Sequence, residues 1–469
     1  VNVTENRSLL NSIILTILYG VVNVLICGLE YYILIYLLIF FILTFTSIYT
    51  NRVFGVLDAR FICSTFMLLT IPIPVTISLG FDYYPGYIDT DVDWYYSYFW
   101  LGLYTLPGLV FYCAIVCFLS FKNKLTIEHN NKYFWREGSR VSIILVVTMF
   151  LSFVAQFYIY KTSGGILNYM SLYTNREEID IGNLALLYML ADFFPTVLLF
   201  ALIYFNKSKK RNLLYASIML VLLFLAKLYF GGLRGSRSNT IWYMLQVIII
   251  IHVFLRQFKK KELVILFIFG AVFMSTYAVY KRYGVNSLDI NNYSEVDNSL
   301  LRTLTLDMSR TSMQAYLIHR EAKQEQNYAM GVTYLGAINM IVPRFISNDR
   351  IHTKTFYGTE FMYGNGSFLE HQFRSSRIFG LIGEGILNFS ASGVFISIII
   401  YGLFVVFISD LFCSSIKNKD FRMIIYPSIL VFAFAITTSD SDNTVFYFLK
   451  NIIPLLLLYK FTIYKKQCK

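Results

Sequence analysis

The chain has 469 residues, of which 57% are hydrophobic and only 14% charged, and it carries a formal net charge of +12. Soluble domains run at about 45–50% apolar and about 25% charged, so a soluble fold, a disordered region, a basic nucleic-acid-binding arm and a disulfide scaffold are excluded. What remains is an all-α, polytopic membrane protein, whose chemistry must be sought where its few charges sit.

A helix needs about 20 mostly apolar residues to cross a bilayer. In chain order the apolar runs predict twelve spans: 9–28, 31–49, 61–80, 97–121, 141–160, 183–205, 213–230, 239–255, 263–280, 390–409, 423–438 and 445–463. None alternates apolar and polar residues as a barrel strand does. Pro72 and Pro74 interrupt the third. The second run follows the first at once with no small-residue cleavage site, so no cleaved leader is expected. The chain divides into nine spans over residues 1–280, a large loop over 281–378, and three more spans over 379–469.

Short loops hold 22 of the 40 Lys and Arg residues: Arg7, Arg52 and Arg60, then clusters in 122–140, 206–212, 256–262, 410–422 and the C-terminal tail. The positive-inside rule makes these loops, and both termini, cytoplasmic. The net charge then reports topology and contact with anionic lipid, and needs no nucleic acid. Cys27, Cys63, Cys113, Cys117, Cys413 and Cys468 lie in spans or on that same side, so no structural disulfide is expected. Cys113 and Cys117 share a helix face, for which packing is a simpler reading than metal ligation. No metal-ligand spacing and no phosphate-binding G-x-x-x-x-G-K-[ST] loop appears, so no metal or nucleotide cofactor is expected.

The 43 Phe, 37 Tyr and 4 Trp fit interfacial belts. A sharper reading is sugar stacking on Tyr83, Tyr84, Tyr87, Trp94, Tyr95 and Tyr96. Inside the spans, Asp192 sits mid-membrane, Lys227 is near an external end from which it can snorkel, and Lys450 lies within the last run. An intramembrane charge reads as functional by default, with an Asp192–Lys450 structural pair as the alternative.

On the external side, GGLRGSRSNT (231–240) follows the seventh span. Its glycines let backbone approach a ligand, and Arg234 and Arg237 offer planar forks that match phosphate oxygens. The alternative is a tight turn with solvated arginines. The loop 281–378 carries eleven basic and nine acidic residues over 98 positions, and loops of such length are usually functional. Within it, 298–318, 331–346 and 368–388 read as helical. On an unbroken helix Glu370, Arg377 and Glu384 form one stripe with Arg374 beside it, either a salt-bridged face or an anion site with a carboxylate.

The layout resembles that of bacterial O-antigen polymerases, the Wzy-type repeat-unit polymerases: about a dozen spans, a GGLRGSR turn and one long outer loop late in the chain. Locally the resemblance rests on GVTYLGAINMIVPRF (331–345) and SRIFGLIGEGILNFSASG (376–393), where Gly383, Glu384, Asn388, Phe389 and Gly393 match a recurrent pattern before a late span. The family often carries two sizeable arginine-bearing loops, and here the first is only a short turn. The resemblance implies a glycosyltransferase of the bacterial inner membrane, acting at the periplasmic face without a metal. It implies undecaprenyl-diphosphate-linked donor and acceptor glycans as partners, with a chain-length regulator as a further candidate.

The departing diphosphate needs fixed cations, for which Arg234, Arg237, Arg344, Arg374 and Arg377 are the expected residues. A base must take the acceptor's hydroxyl proton. The outer candidates are His352, His371, Glu360, Glu370 and Glu384. His371 is the first choice, since a free imidazole titrates near ~6.5. Glu384, at the mouth of the tenth span, is the second, since partial burial favours a carboxyl that takes up a proton. An O-antigen ligase and a lipid-linked oligosaccharide flippase are the rival readings.

Overall fold

The computed structural model describes residues 2–85, 91–120, 131–135, 139–174, 185–205, 213–231, 237–252, 256–283, 301–323, 328–342, 351–364, 366–369, 377–418 and 425–467. In chain order the helices are α1 (Asn2–Cys27), α2 (Ile33–Phe54), α3 (Ala59–Thr70), α4 (Pro72–Gly80), α5 (Trp94–Phe118), α6 (Ser139–Thr162), α7 (Ile166–Thr174), α8 (Ala185–Asp192), α9 (Phe194–Phe205), α10 (Leu213–Tyr229), α11 (Arg237–Ile250), α12 (Lys260–Tyr283), α13 (Thr311–Ala322), α14 (Val332–Asn339), α15 (Lys354–Tyr363), α16 (Gly380–Asn418), α17 (Tyr426–Thr438), α18 (Ser441–Tyr447) and α19 (Ile453–Thr462). The strands β1 (Asn131–Trp135) and β2 (Ile463–Gln467) pair antiparallel. Among the described residues, eight helical stretches are long and apolar enough to cross a membrane. Broad apolar faces stay uncovered on α1 and α6, with Leu10, Ile17, Val146 and Phe150 all more than half exposed. Such a stripe along a long helix is a lipid-facing surface.

The chain packs as two compact units. The first comprises Val1–His129, Leu301–Lys417 and Phe432–Leu449; the second comprises Asn130–Leu300, Asn418–Val431 and Lys450–Lys469.

In the first unit α2 lies among α1, α3 and α5, with Ile39 and Leu43 fully buried. Asp58 starts α3 by accepting the Arg60 N–H at 2.9 Å, and Asp93 starts α5 in the same way through Tyr96 N–H at 3.0 Å. The third expected span is two helices. Pro72 has no N–H to continue α3 and occupies the first position of α4, where none is needed. Arg60, expected in a cytoplasmic loop, is instead inside α3 and 1% exposed. Its guanidinium pairs with Asp410 at 2.9 Å and donates to the Val116 carbonyl at 3.1 Å.

Part of the long loop folds onto this unit. Residues 311–318 of α13 are all buried. Ser309 donates to the Thr70 carbonyl at 2.9 Å, and Ser312 shares a 3.0 Å hydrogen bond with Tyr98. The expected helix 298–318, of which 298–300 lie outside the described residues, is two helical pieces: 301–307, ending in the π-helix Thr303–Asp307, and, after a break at 308–310, α13.

Of the expected helix 368–388, residues 370–376 lie outside the described residues, 368–369 and Arg377–Phe379 are not helical, and 380–388 are helical from Gly380, whose φ is +72°. The Glu370–Arg377–Glu384 stripe, which needs an unbroken helix, therefore does not form. α16 is itself two helices. Phe389 (φ −145°, ψ 23°) and Ser390 (φ 54°, ψ −141°) break it. Gly385 and Gly393 would lie about 12 Å apart on a straight helix, yet here their backbones touch. A Cβ on Gly393 would stand 2.1 Å from the Gly385 carbonyl oxygen. Two glycines at that spacing allow the short segment 380–388 to fold back on the long segment 391–418.

In the second unit, Leu145, Phe200, Leu223, Val247, Ile250 and Leu455 are among the buried residues that join α6, α9, α10, α11 and α19 in one core. The sixth expected span breaks between α8 and α9 just before Pro195. Asp192 ends α8 and forms an ion pair with Lys450, the structural alternative of the two readings. Lys227 does not snorkel to solvent: it is 3% exposed, with its ammonium 5.7 Å from the centre of the Tyr243 ring.

Candidate functional site

The segment 380–388 carries Glu384, 2% exposed. Its Oε1 accepts the Thr333 hydroxyl at 2.7 Å and the Ser441 hydroxyl at 2.5 Å, while Oε2 accepts the Ser441 N–H at 2.6 Å. The donors fix one another. Asn388 Oδ1 accepts the Gly331 N–H at 2.8 Å, which orients its amide. Its Nδ2 then donates to Thr333 Oγ1 at 2.8 Å and to the Glu384 carbonyl at 2.8 Å. Thr333 Oγ1, already an acceptor, has its own proton left for Glu384. This chain of bonds joins the start of α14, the end of the 380–388 segment and the start of α18.

One turn away lies a buried ion pair. Lys354 begins α15 and is 2% exposed, as is Asp440. Its ammonium sits 2.8 Å from Asp440 Oδ2, bonds the Arg377 carbonyl, and lies 3.5 Å from the centre of the Phe379 ring. Asp440 Oδ1 accepts the N–H groups of Phe379 and Gly380 at 2.8 and 2.9 Å. These are the leading N–H groups of α16, where a negative charge complements the helix dipole. Burial pushes the Asp440 carboxyl above its ordinary range, and the Lys354 ammonium and the Phe379 N–H work against that rise. Asp442 adds a bond from the Thr355 hydroxyl at 3.0 Å.

A small pocket lies beside the 380–388 segment. Leu381, Ile382, Met67, Ile71 and Met308 form its apolar walls, and Arg310, Gln314, Thr70, Thr437 and Thr438 supply polar groups. Arg310 is anchored through the Thr438 and Leu306 carbonyls at 3.1 and 2.6 Å. Gln314 donates to the Phe379 carbonyl at 3.0 Å. The arrangement offers a cation on an apolar wall next to a buried, hydroxyl-bonded carboxylate.

Of the expected site residues, Glu384 stands at the centre of this cluster. Arg377 contributes its carbonyl to Lys354, and its side chain is half-buried. His371, Arg374, Glu370, Arg344 and Arg234 lie outside the described residues. Arg237 opens α11, but its side chain lies outside them too. Residues 232–236 lie outside the described residues, and Gly231 (φ +113°) packs so closely on Asp192 that a Cβ would fall 2.0 Å from Oδ1. His352 is exposed and stacks on Phe356 at 4.2 Å. Glu360 accepts the N–H groups of Gly366 and Phe368, closing a turn. Tyr84 and Trp94 stack on each other at 4.4 Å, so those two faces are not open to a sugar.

Sequence reasoning missed Lys354, Asp440 and Ser441. The signal was present in SDSDN (439–443), two acids in five residues between apolar runs. Comparison with protein-family models, curated proteins and solved structures gives no match to this chain.

Proposed function

We propose that the chain is a Wzy-type O-antigen polymerase, an integral-membrane glycosyltransferase of the bacterial inner membrane with twelve spans, cytoplasmic termini and a periplasmic active site. One observation supports this reading best. The two segments on which the resemblance rests, 331–345 and 376–393, are hydrogen-bonded to each other through Gly331, Asn388, Thr333 and Glu384. A resemblance borne by apolar residues alone would need no such polar junction.

In the proposed reaction, a hydroxyl oxygen at the non-reducing end of a lipid-linked repeat unit attacks the anomeric carbon of the growing chain. The bond from that carbon to the undecaprenyl diphosphate breaks, and its electron pair leaves with the diphosphate. Arg234, Arg237, Arg344, Arg374 and Arg377 are the proposed holders of that charge, joined by Arg310 on the pocket wall. His371 is the proposed base. Three donors already converge on Glu384, so its part is to hold Thr333 and Ser441 in place.

The surface polysaccharide of a deletion strain tests this. Loss of a polymerase leaves lipid A-core capped by a single repeat unit. Uncapped core with polymer retained on the carrier indicates a ligase instead, and near-absence of external glycan indicates a flippase.

A further inference from the structure

A second polar cluster in the first unit takes no part in the Glu384 junction. Glu321 occupies the last turn of α13, where the helix dipole disfavours an acid. Its Oε1 accepts the hydroxyls of Tyr328 and Ser390, while its Oε2 is buried with no hydrogen-bond partner. Ser390 is one of the two residues that break α16, and Met330 nearby in sequence to Tyr328 has φ 46°. Left-handed backbone at residues other than glycine costs energy and gathers at functional sites. The hydroxyl of Tyr104, on α5, interacts with both Ser390 and Glu321. From Tyr104 an aromatic row continues along α5 to Trp100 at 6.2 Å and Tyr96 at 6.1 Å. The rim is open: Tyr96, Trp100, Tyr328 and Phe389 are each 36–41% exposed.

We propose that Glu321, Tyr328, Ser390 and Tyr104, with Trp100 beside them, form a binding subsite for the hydroxyl groups of a neutral pyranose. This rests on the glycosyl-transfer reading and names where the glycan, as opposed to the lipid diphosphate, is held. The chemistry selects the ligand. A carboxylate repels phosphate but accepts sugar hydroxyls strongly, because hydrogen bonds to a charged acceptor are the stronger class. Three hydroxyls around it both donate and accept. An exposed indole covers the apolar C–H face of a sugar ring at small entropic cost. Tyr328 lies outside any helix with a part-exposed ring, so its hydroxyl can leave the carboxylate to a ligand. In the free protein the Tyr328 and Ser390 hydroxyls occupy the places that sugar hydroxyls take.

Saturation-transfer NMR on the detergent-solubilised full chain tests this with the methyl pyranosides of glucose, galactose and N-acetylglucosamine as probes. The expected result is transfer to the ring protons of at least one probe, reduced about tenfold or more by Glu321→Gln or Trp100→Ala. Transfer should be retained in Glu384→Gln. Ser390→Gly, which accepts φ 54° without strain, keeps the fold while removing one hydroxyl, and should weaken transfer at an unchanged unfolding temperature. In the elongation assay, Glu321→Gln should raise KM for the acceptor with kcat little changed. Probe binding without elongation leaves the subsite standing and removes the polymerase reading. Normal elongation with no probe transfer, or with transfer and KM unaffected by Glu321→Gln, overturns the subsite.

Discussion

Lys354 reaches an acid, a carbonyl and an aromatic ring at once, in a place where water reaches almost none of it. A buried pair of this kind contributes little net stability, but removing one partner leaves the other charged and dry. Lys354→Ala should therefore destabilise the protein by about 3–5 kcal/mol, read as a fall in the unfolding temperature of the detergent-solubilised chain. Lys354→Met combined with Asp440→Asn should recover more than half of that loss, because the Asn oxygen can still accept the Phe379 and Gly380 N–H groups. A double variant no more stable than the single one would show that charge pairing is not what the site needs. Glu384 was legible in sequence from its place in GEGILNF at the edge of an apolar run. Lys354 was not, because a lysine in a mixed-charge loop looks solvated until its partner some 85 residues later is brought beside it. Arg60 misled for the same reason: basic residues near span ends are read as loop charges, and its partner Asp410 is distant in sequence.

Among the elements, the apolar runs announced the helices, and Pro72 marked the break between α3 and α4. The break in α16 left no such mark. Phe389 and Ser390 are ordinary residues, and the reversal is carried by Gly385 and Gly393, whose meaning appears only once their backbones touch. Gly393→Ala should cost far more than Gly402→Ala, where the new methyl would meet nothing closer than the Tyr112 ring at 3.1 Å. Comparing the unfolding temperatures of the two variants checks this, and equal shifts would count against a close reversal at 389–390. At the start of α12, Glu262 accepts the Lys259 N–H at 2.8 Å and both arms of the Arg256 guanidinium at 2.7 and 3.0 Å. The Arg256 fork holds the Glu262 carboxyl below the usual carboxylate range. A depressed carboxyl stabilises the fold at every pH above its unfolded value, about 4.3, and that support disappears as pH falls through the folded value. Hydrogen-exchange protection of the first-turn amides of α12 should thus hold at neutral pH and drop below about pH 4.3. In Arg256→Ala the drop should begin at higher pH, and an unchanged profile would dismiss the fork.

At the scale of the whole molecule, the compact units interleave along the chain. The first draws on the opening residues, on 301–417 and on 432–449. Hydropathy orders spans along the sequence and carries no information on which spans pack together, so this grouping could not be read from it. Topology is the part of the reading that the basic loops carry, and thiol labelling checks it. A cysteine placed at Ser294, in the long loop, should react with an impermeant reagent in intact spheroplasts, and one placed at Lys260 should not. The reverse pattern would invert the orientation and put the proposed chemistry on the wrong side.

The most direct measurement is transfer by the purified chain reconstituted in lipid vesicles with undecaprenyl-diphosphate-linked repeat units and no nucleotide. The expected result is a ladder of lipid-linked products growing by whole repeat units. Little or no elongation is expected in His371→Ala, and a large loss in Glu384→Gln with the donor still bound. A folded, monodisperse protein that binds these lipids yet yields no linked dimer of the repeat unit would contradict the polymerase reading.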